Sequence, residues 1–278
     1  MFKAGFCYVF GPDDLETALP RLAALGYDGV EFWDDLLTEV DRRRGINYLA
    51  DLLRHSGLSC AQICPYFDFV DGPESWEKSI QVGERYLRWA ITLGRPLIRV
   101  FTGKLWGESI VGSANATEEQ WDAAIRGIQH LCDLAAPHGV RLALECHRGS
   151  LMDQSDSTLR LLQGVNRLNL GVNLQVPLEG EASWYSLERL GRYTVHVHAH
   201  NWVVRSGRIE LTFLADGELN YPRFLRRLMG FGFDGYVSIE HPDHGGRHDP
   251  WETAEVEGRY LTALKRELAC QVSTPCCG

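Results

Sequence analysis

Short apolar runs alternate with longer amphipathic stretches along almost the whole chain. Lys3 to Val9 reads as a first strand, and Pro12-Asp13-Asp14 opens a helix that ends near Gly26. Gly29 to Trp33 is a second strand, followed by a polar loop and a helix over Asn47 to His55 closed by Gly57. Leu58 to Cys64 is a third strand stopped by Pro65, and Ser75 to Leu93 a long helix ended by Gly94. Pro96 to Phe101 is the fourth strand, after which Thr117 caps a helix with Glu118 and Glu119 in its first turn, where acids suit the helix dipole. Val140 to Leu144 makes strand five, Asn169 to Leu174 strand six, Tyr193 to His198 strand seven and Tyr236 to Glu240 strand eight. Between them lie helices from Ser155 or Ser157 to Gly164, from Glu181 to Leu190 and from Tyr221 to Met229, with a last one over Pro250 to Leu268.

Eight strand–helix pairs in about 265 residues predict a single-domain α/β fold, a (β/α)8 TIM barrel over residues 1–268 with a C-terminal tail over 269–278. An open doubly wound sheet is the alternative, but no glycine-rich dinucleotide fingerprint follows the first strand. One echo supports repeated units: Leu25-Gly26-Tyr27-Asp28-Gly29-Val30-Glu31 parallels Gly230-Phe231-Gly232-Phe233-Asp234-Gly235 with Glu240 beyond.

In a barrel, the residues at strand C-termini meet at one mouth however far apart they lie in sequence. Those residues here are Glu31, Arg99, Glu145, His147, Gln175, His196, His198, His200, Glu240 and His241. Glutamate is rarely buried without a partner, so Glu145 at the end of an apolar strand needs a cation, a donor or a metal nearby. Arg99 on the neighbouring strand is the structural answer and a divalent ion the functional one. His196, His198 and His200 share one face of a period-two run. Two carboxylates and an imidazole suit Mn²⁺, Co²⁺, Mg²⁺ or Zn²⁺. Trp33, Phe67, Phe101, Trp106 and Trp202 at strand exits offer an apolar wall for a sugar ring, or simply packing around loops. His241 to Asp249 is a polar loop rich in ligand side chains, read as solvated.

Composition narrows the field. A formal charge of −9 disfavours nucleic acid as a partner. No stretch approaches the length of a membrane span, and Met1 to Gly5 lacks the apolar core of a signal peptide, so no membrane partner and a cytoplasmic location are expected. Eight cysteines are scattered in a chain large enough to need no staples, and read as free thiols.

With these residues in view, the chain resembles the xylose-isomerase-like sugar phosphate isomerase/epimerase superfamily, which includes metal-dependent ketose 3-epimerases and endonuclease IV. The resemblance rests on Ala143 to Gly149, Asn169 to Leu174, Val195 to His198, Asp216 to Tyr221 and Gly232 to Glu240. It implies Glu145, His198 and Glu240 as metal ligands, with Glu145 and Glu240 as catalytic bases and His147 as a substrate contact. The superfamily's fourth ligand is usually an aspartate ending strand six, where this chain has Gln175, and Leu178 stands where a histidine commonly follows. A glutamine oxygen coordinates without bringing charge.

The implied reaction is isomerisation or epimerisation of a ketose or related polyol through a cis-enediolate, with Trp33, Trp106 and Arg205 as further substrate contacts. Arg205 would take a distal hydroxyl or phosphate. Inosose dehydration and hydroxy-keto-acid isomerisation use the same chemistry. A sugar-binding or regulatory barrel without metal is the rival class, suggested by Gln175 and Leu178. A small sugar or polyol is the expected partner, and a homo-oligomer is compatible with all of these readings.

Overall fold

The computed structural model describes residues 1–103 and 110–272. Its strands are β1 (Lys3–Cys7), β2 (Gly29–Trp33), β3 (Ser59–Cys64), β4 (Leu97–Val100), β5 (Leu142–Glu145), β6 (Leu170–Leu174), β7 (Thr194–Ala199), β8 (Asn201–Arg205), β9 (Arg208–Thr212) and β10 (Tyr236–Ile239). The helices are α1 (Leu15–Ala24), α2 (Asp34–Arg44), α3 (Ile46–Ser56), α4 (Gly72–Thr92), α5 (Glu118–Ala135), α6 (Ser155–Val165), α7 (Ser183–Leu190), α8 (Tyr221–Gly230) and α9 (Pro250–Val272). β1 to β7 and β10 close a parallel barrel in the order β1-β10-β7-β6-β5-β4-β3-β2, and β8 and β9 form a separate antiparallel hairpin. The chain is thus an α/β TIM barrel of one domain.

Strand parity divides the protein. One face of the strands carries Val30, Phe32, Ile63, Ile98, Val100, Leu142, Leu144, Val172, Leu174, Val197, Val237 and Ile239, all buried in the apolar core. The other face carries Glu31, Gln62, Arg99, Glu145, Asn173, His196, His198 and Ser238, also buried. Successive side chains point to opposite faces of a strand. The apolar set therefore packs outward under the helices, while the lumen of the barrel is polar. Register joins these polar positions into levels: Cys7 pairs with Glu31, Glu31 with Gln62, Glu145 with Asn173, and Ser238 with His198.

Local signals explain the helix ends. Thr117 accepts from the Gln120 backbone N–H at 3.3 Å while Gln120 accepts from the Thr117 backbone, a reciprocal cap on α5. Gly57 closes α3 with φ +71°, a left-handed conformation that costs glycine little.

Two segments differ from expectation. The stretch after β2, read as a polar loop, is α2. Only Leu37 and Val40 are buried there, and Glu39 pairs with Arg42 and Arg43 on its exposed side. The stretch after β7, read as a loop, is the β8–β9 hairpin, turned at Ser206 and Gly207, both at positive φ. The last helix also runs to Val272, past the boundary at residue 268. Cys7, Cys60, Cys64, Cys132, Cys146 and Cys270 are free thiols, while Cys276 and Cys277 lie outside the described residues. Among the described residues no helix is long and apolar enough to cross a membrane.

Candidate metal centre at the barrel mouth

β5, β7 and β10 end at the same rim, and the barrel brings Glu145, His198 and Glu240 together: one ligand atom from each lies within 4.8 Å of the others. All three are buried. His198 Nδ1 stands 2.9 Å from Glu145 Oε1 and 3.4 Å from Glu240 Oε1. Gln175, just beyond β6, donates its Nε2 to Glu240 Oε2 at 2.5 Å, and its Oε1 is buried without a hydrogen-bond partner.

A second carboxylate lies on the other side of the imidazole. His198 Nε2 is 2.9 Å from Glu31 Oε1, and His196 Nε2 is 2.8 Å from Glu31 Oε2. Burial alone would depress the basicity of His198, but Glu31, Glu145 and Glu240 together hold its pKa well above the ordinary value. His196 is pushed down by its burial, which outweighs its hydrogen bond to Glu31. Glu31 and Glu240 are both held below the usual carboxylate range, because the neighbouring imidazoles outweigh the cost of burial.

Arg99 completes the charge pattern. Its Nη1 lies 3.2 Å from Glu145 Oε2, a charge contact without the alignment of a hydrogen bond. Nη2 donates to the carbonyls of Cys64 and Pro65 at 3.3 and 3.1 Å. The guanidinium carbon sits 4.7, 4.6 and 4.4 Å from the ring centroids of Trp33, Tyr66 and Phe101. Among the described residues, three carboxylates in this lumen thus face one guanidinium; with His198 neutral, as a metal ligand must be, two negative charges remain for a divalent cation to neutralise. Orphaned buried polar atoms point the same way, since they are scarce in folded proteins. Besides Gln175 Oε1 they include both amide atoms of Asn173, Gln62 Oε1 and Ser238 Oγ, all on the lumen face.

The remaining expected contacts are distributed unevenly. Trp33 lines the mouth with Cys7, Val9, Glu240, His241, Pro242, Asp243 and Pro250, its ring 6.4 Å from that of His198. His147 is partly buried two residues beyond β5, edge-on to Phe101 at 5.7 Å. Arg205 is not brought into the cluster. It lies at the end of β8, 72% exposed, with its guanidinium 3.8 Å from Glu210 across the hairpin. Trp106 lies outside the described residues. Phe67 is a core residue stacked on Phe69, and Trp202 is buried beside His200. A separate apolar groove between α4 and α5, lined by Phe69, Val70, Pro73 and Trp76, carries none of the barrel's buried carboxylates or histidines.

Sequence reasoning passed over Cys7, Gln62 and Tyr66. Cys7 donates its thiol to Glu31 at 2.6 Å, and the Gln62 amide reaches Glu31 at 3.5 Å. Gln62 carried a usable signal, a polar side chain inside an otherwise apolar strand.

A family profile described as "Xylose isomerase-like TIM barrel" matches residues 19–263. The chain belongs to this family. The chain is similar to the 3-dehydroshikimate dehydratase of Bacillus anthracis, 24% identical over 87% of this chain and 89% of the relative. The structure of L-ribulose 3-epimerase superposes with a TM-score of 0.76 at 16% identity, covering 100% of both chains. A xylose isomerase-like TIM barrel protein from Mycobacterium smegmatis, solved in complex with magnesium, gives a TM-score of 0.75 at 17% identity over 96% of this chain and 98% of the other. At these identities the structural likenesses establish the barrel alone. The chain is also similar to an inosose dehydratase of Lactiplantibacillus plantarum, 22% identical over 52% of this chain and 54% of that relative.

Proposed function

We propose that this barrel is a divalent-metal-dependent isomerase or epimerase of a small ketose or related polyol. The reading is carried by the convergence of Glu145, His198 and Glu240 within 4.8 Å in a polar, net-negative lumen. The ion, Mn²⁺, Co²⁺, Mg²⁺ or Zn²⁺, would be held by those three side chains, with the Gln175 amide oxygen as fourth donor. When bound, such an ion polarises a substrate carbonyl and lowers the cost of negative charge on the neighbouring carbon.

The protein's own residues handle the proton. Glu145 and Glu240 reach the cluster from strands separated by β6 and β7. One carboxylate removes the proton α to the carbonyl and the other returns it. Return to the opposite face of the same carbon is epimerisation, and return to the adjacent carbon is isomerisation. Trp33 offers an apolar face to the sugar ring, and His147 a donor or acceptor for a hydroxyl. Arg99, caged by aromatics and turned to Glu145, keeps that carboxylate in place.

A second reading is dehydration at the same site, favoured by the likeness to 3-dehydroshikimate dehydratase. The same base would take the α proton and a hydroxyl would leave from the next carbon. Incubating ketoses and inososes with the Mn²⁺-restored protein in D₂O separates the two. Deuterium on the carbon next to the carbonyl, with retained mass otherwise, marks proton exchange, whereas loss of water marks elimination. Glu145→Gln and Glu240→Gln should each lower exchange by about 10²–10⁴-fold. Full exchange in either variant would remove that residue from the mechanism. A native protein that takes up no divalent ion would favour a binding barrel instead.

A further inference from the structure

Glu31 does more than neutralise charge in the lumen. Four donors converge on it: Cys7 Sγ at 2.6 Å and His198 Nε2 at 2.9 Å on Oε1, and His196 Nε2 at 2.8 Å and Gln62 Nε2 at 3.5 Å on Oε2. An ionised carboxylate only accepts, so a proton on His198 Nε2 has an acceptor in Glu31 at 2.9 Å, with the Gln62 amide nitrogen 3.3 Å from the same ring nitrogen. The opposite nitrogen, Nδ1, faces Glu145 and Glu240. A neutral imidazole has one N–H, and two carboxylates on opposite sides compete for it. On the Nδ1 side both rivals are already engaged: the Arg99 guanidinium meets the charge of Glu145 at 3.2 Å, and the Gln175 amide donates to Glu240. Among the described residues, the ion-pair partners of Glu31 are the imidazoles of His196 and His198, with no guanidinium or ammonium.

We infer that Glu31 is a positioning residue: it holds His198 as the Nε2–H tautomer and so presents the Nδ1 lone pair to the side of the ring where Glu145 and Glu240 stand. The inference rests on the reading of those three residues as the ion's ligands. A carboxylate behind a ligand imidazole fixes the tautomer and orientation of the ring and raises its strength as a donor, and losing it typically costs 10- to 100-fold in metal affinity. Here β2 supplies that carboxylate, and Cys7 and Gln62 on the two flanking strands hold it in place. With the proton on Nδ1 instead, the same ring would present a donor to the cluster and could not bind a cation there.

The test uses the full-length protein, ¹⁵N-labelled at histidine, with Zn²⁺ as the probe. The native protein should show His198 with the proton on Nε2 and Zn²⁺ on Nδ1. Glu31→Gln keeps the shape but can satisfy either tautomer, so it should weaken Zn²⁺ binding by about 10- to 100-fold and abolish the single Nε2–H pattern. Glu31→Asp, which keeps the charge, should recover part of the affinity. Thermal melts of all three identify any variant that has merely lost its fold. Zn²⁺ affinity in Glu31→Gln within about twofold of native, or an Nδ1–H pattern in the native protein, would overturn the inference. If the native protein binds none of Zn²⁺, Mn²⁺, Co²⁺ and Mg²⁺, the proposed function fails on its own. The spectra of the metal-free protein at a pH where the ring is neutral then decide the role of Glu31: Nε2–H in native and its loss in Glu31→Gln support it, and Nδ1–H in native refutes it.

Discussion

Gln175 donates its side-chain amide to Glu240 across the mouth of the barrel, Nε2 to Oε2 at 2.5 Å, and leaves its own carbonyl oxygen unpartnered. A neutral group thus steadies one member of the acidic cluster without adding to its charge. Gln175→Asp would exchange that donor for a third carboxylate beside Glu145 and Glu240. Two consequences of opposite sign follow. The metal-free protein should lose about 1–3 kcal/mol of stability, because like charges are then buried together and a hydrogen bond is lost. Affinity for Mn²⁺ should rise by about tenfold or more through the added anion. Chelator-competition titrations and melts with and without Mn²⁺ measure both, and a variant that binds Mn²⁺ no tighter than native would place residue 175 outside the ion's reach.

Among the described residues, Arg99 is the one guanidinium against the buried carboxylates of the lumen. Arg99→Met keeps bulk among Trp33, Tyr66 and Phe101 but leaves the Glu145 charge buried with only the His198 imidazole beside it, which should cost about 3–5 kcal/mol. Adding Glu145→Gln removes the uncompensated charge, so the double variant should regain much of that loss. Urea unfolding of the metal-free proteins is the check. Strict additivity of the two substitutions would mean that the pair does not interact.

What could be read from the chain, and what could not, follows from how far apart the cooperating residues lie. Strand parity, capping residues such as Thr117 and terminators such as Gly57 are local, and the eight barrel strands were expected in their observed order. Once a barrel is assumed, Glu145, His198 and Glu240 must end at one rim. The misses have physical reasons too. Asp34 to Arg44 has almost no apolar stripe, so its helicity rests on ion pairs and on acids in its first turn and arginines in its last, which a hydrophobic pattern does not register. The β8–β9 hairpin did carry a signal, the Ser206-Gly207 turn between alternating runs, but the runs are short and amphipathic. Its formation moves Arg205 onto an exposed ribbon. Glu31 and Arg99 were visible as strand-end residues, but their partners could not be assigned. Glu31 is 165 residues from His196, and only the closure of β2 and β7 around the lumen brings them together.

A second buried acid makes stability depend on pH. Glu257 on α9 accepts the Leu214 backbone N–H at 2.7 Å, while its Oε2 is buried without a partner. Burial is the main cause that lifts its pKa from 4.5 to about 8, opposed by the Leu214 hydrogen bond and reinforced by Asp216. The folded state therefore holds a proton that the unfolded chain releases between those values. The stabilising contribution is complete below the unfolded pKa and is lost as pH rises through the folded one, with a total on the order of a few kcal/mol. Glu257→Gln imitates the protonated acid at every pH. It should match the native protein near pH 5 and exceed it near pH 9, by urea midpoint. An equal difference at both pH values would mean that Glu257 does not titrate in this window.

The start of the hairpin is braced by the Asn201 side chain. Asn201 is fully buried, donates Nδ2 to the carbonyls of Leu214 and Leu219 at 2.8 and 2.9 Å, and accepts at Oδ1 from the backbone N–H groups of Trp202 and Leu219 at 3.0 Å each. Asn201→Ala strands those backbone groups and should cost about 2–4 kcal/mol. The close approach also requires glycine at residue 217, where an added Cβ would stand 2.1 Å from Asn201 Cγ. Gly217→Ala should therefore displace Asn201 and destabilise the protein by a similar amount. Because both substitutions break the same brace, and removing Asn201 vacates the space that the new methyl needs, their effects must fall short of adding. Urea unfolding of the two single variants and the double variant closes the cycle. A double variant that loses the full sum would show that Gly217 is needed for some reason other than its packing against Asn201.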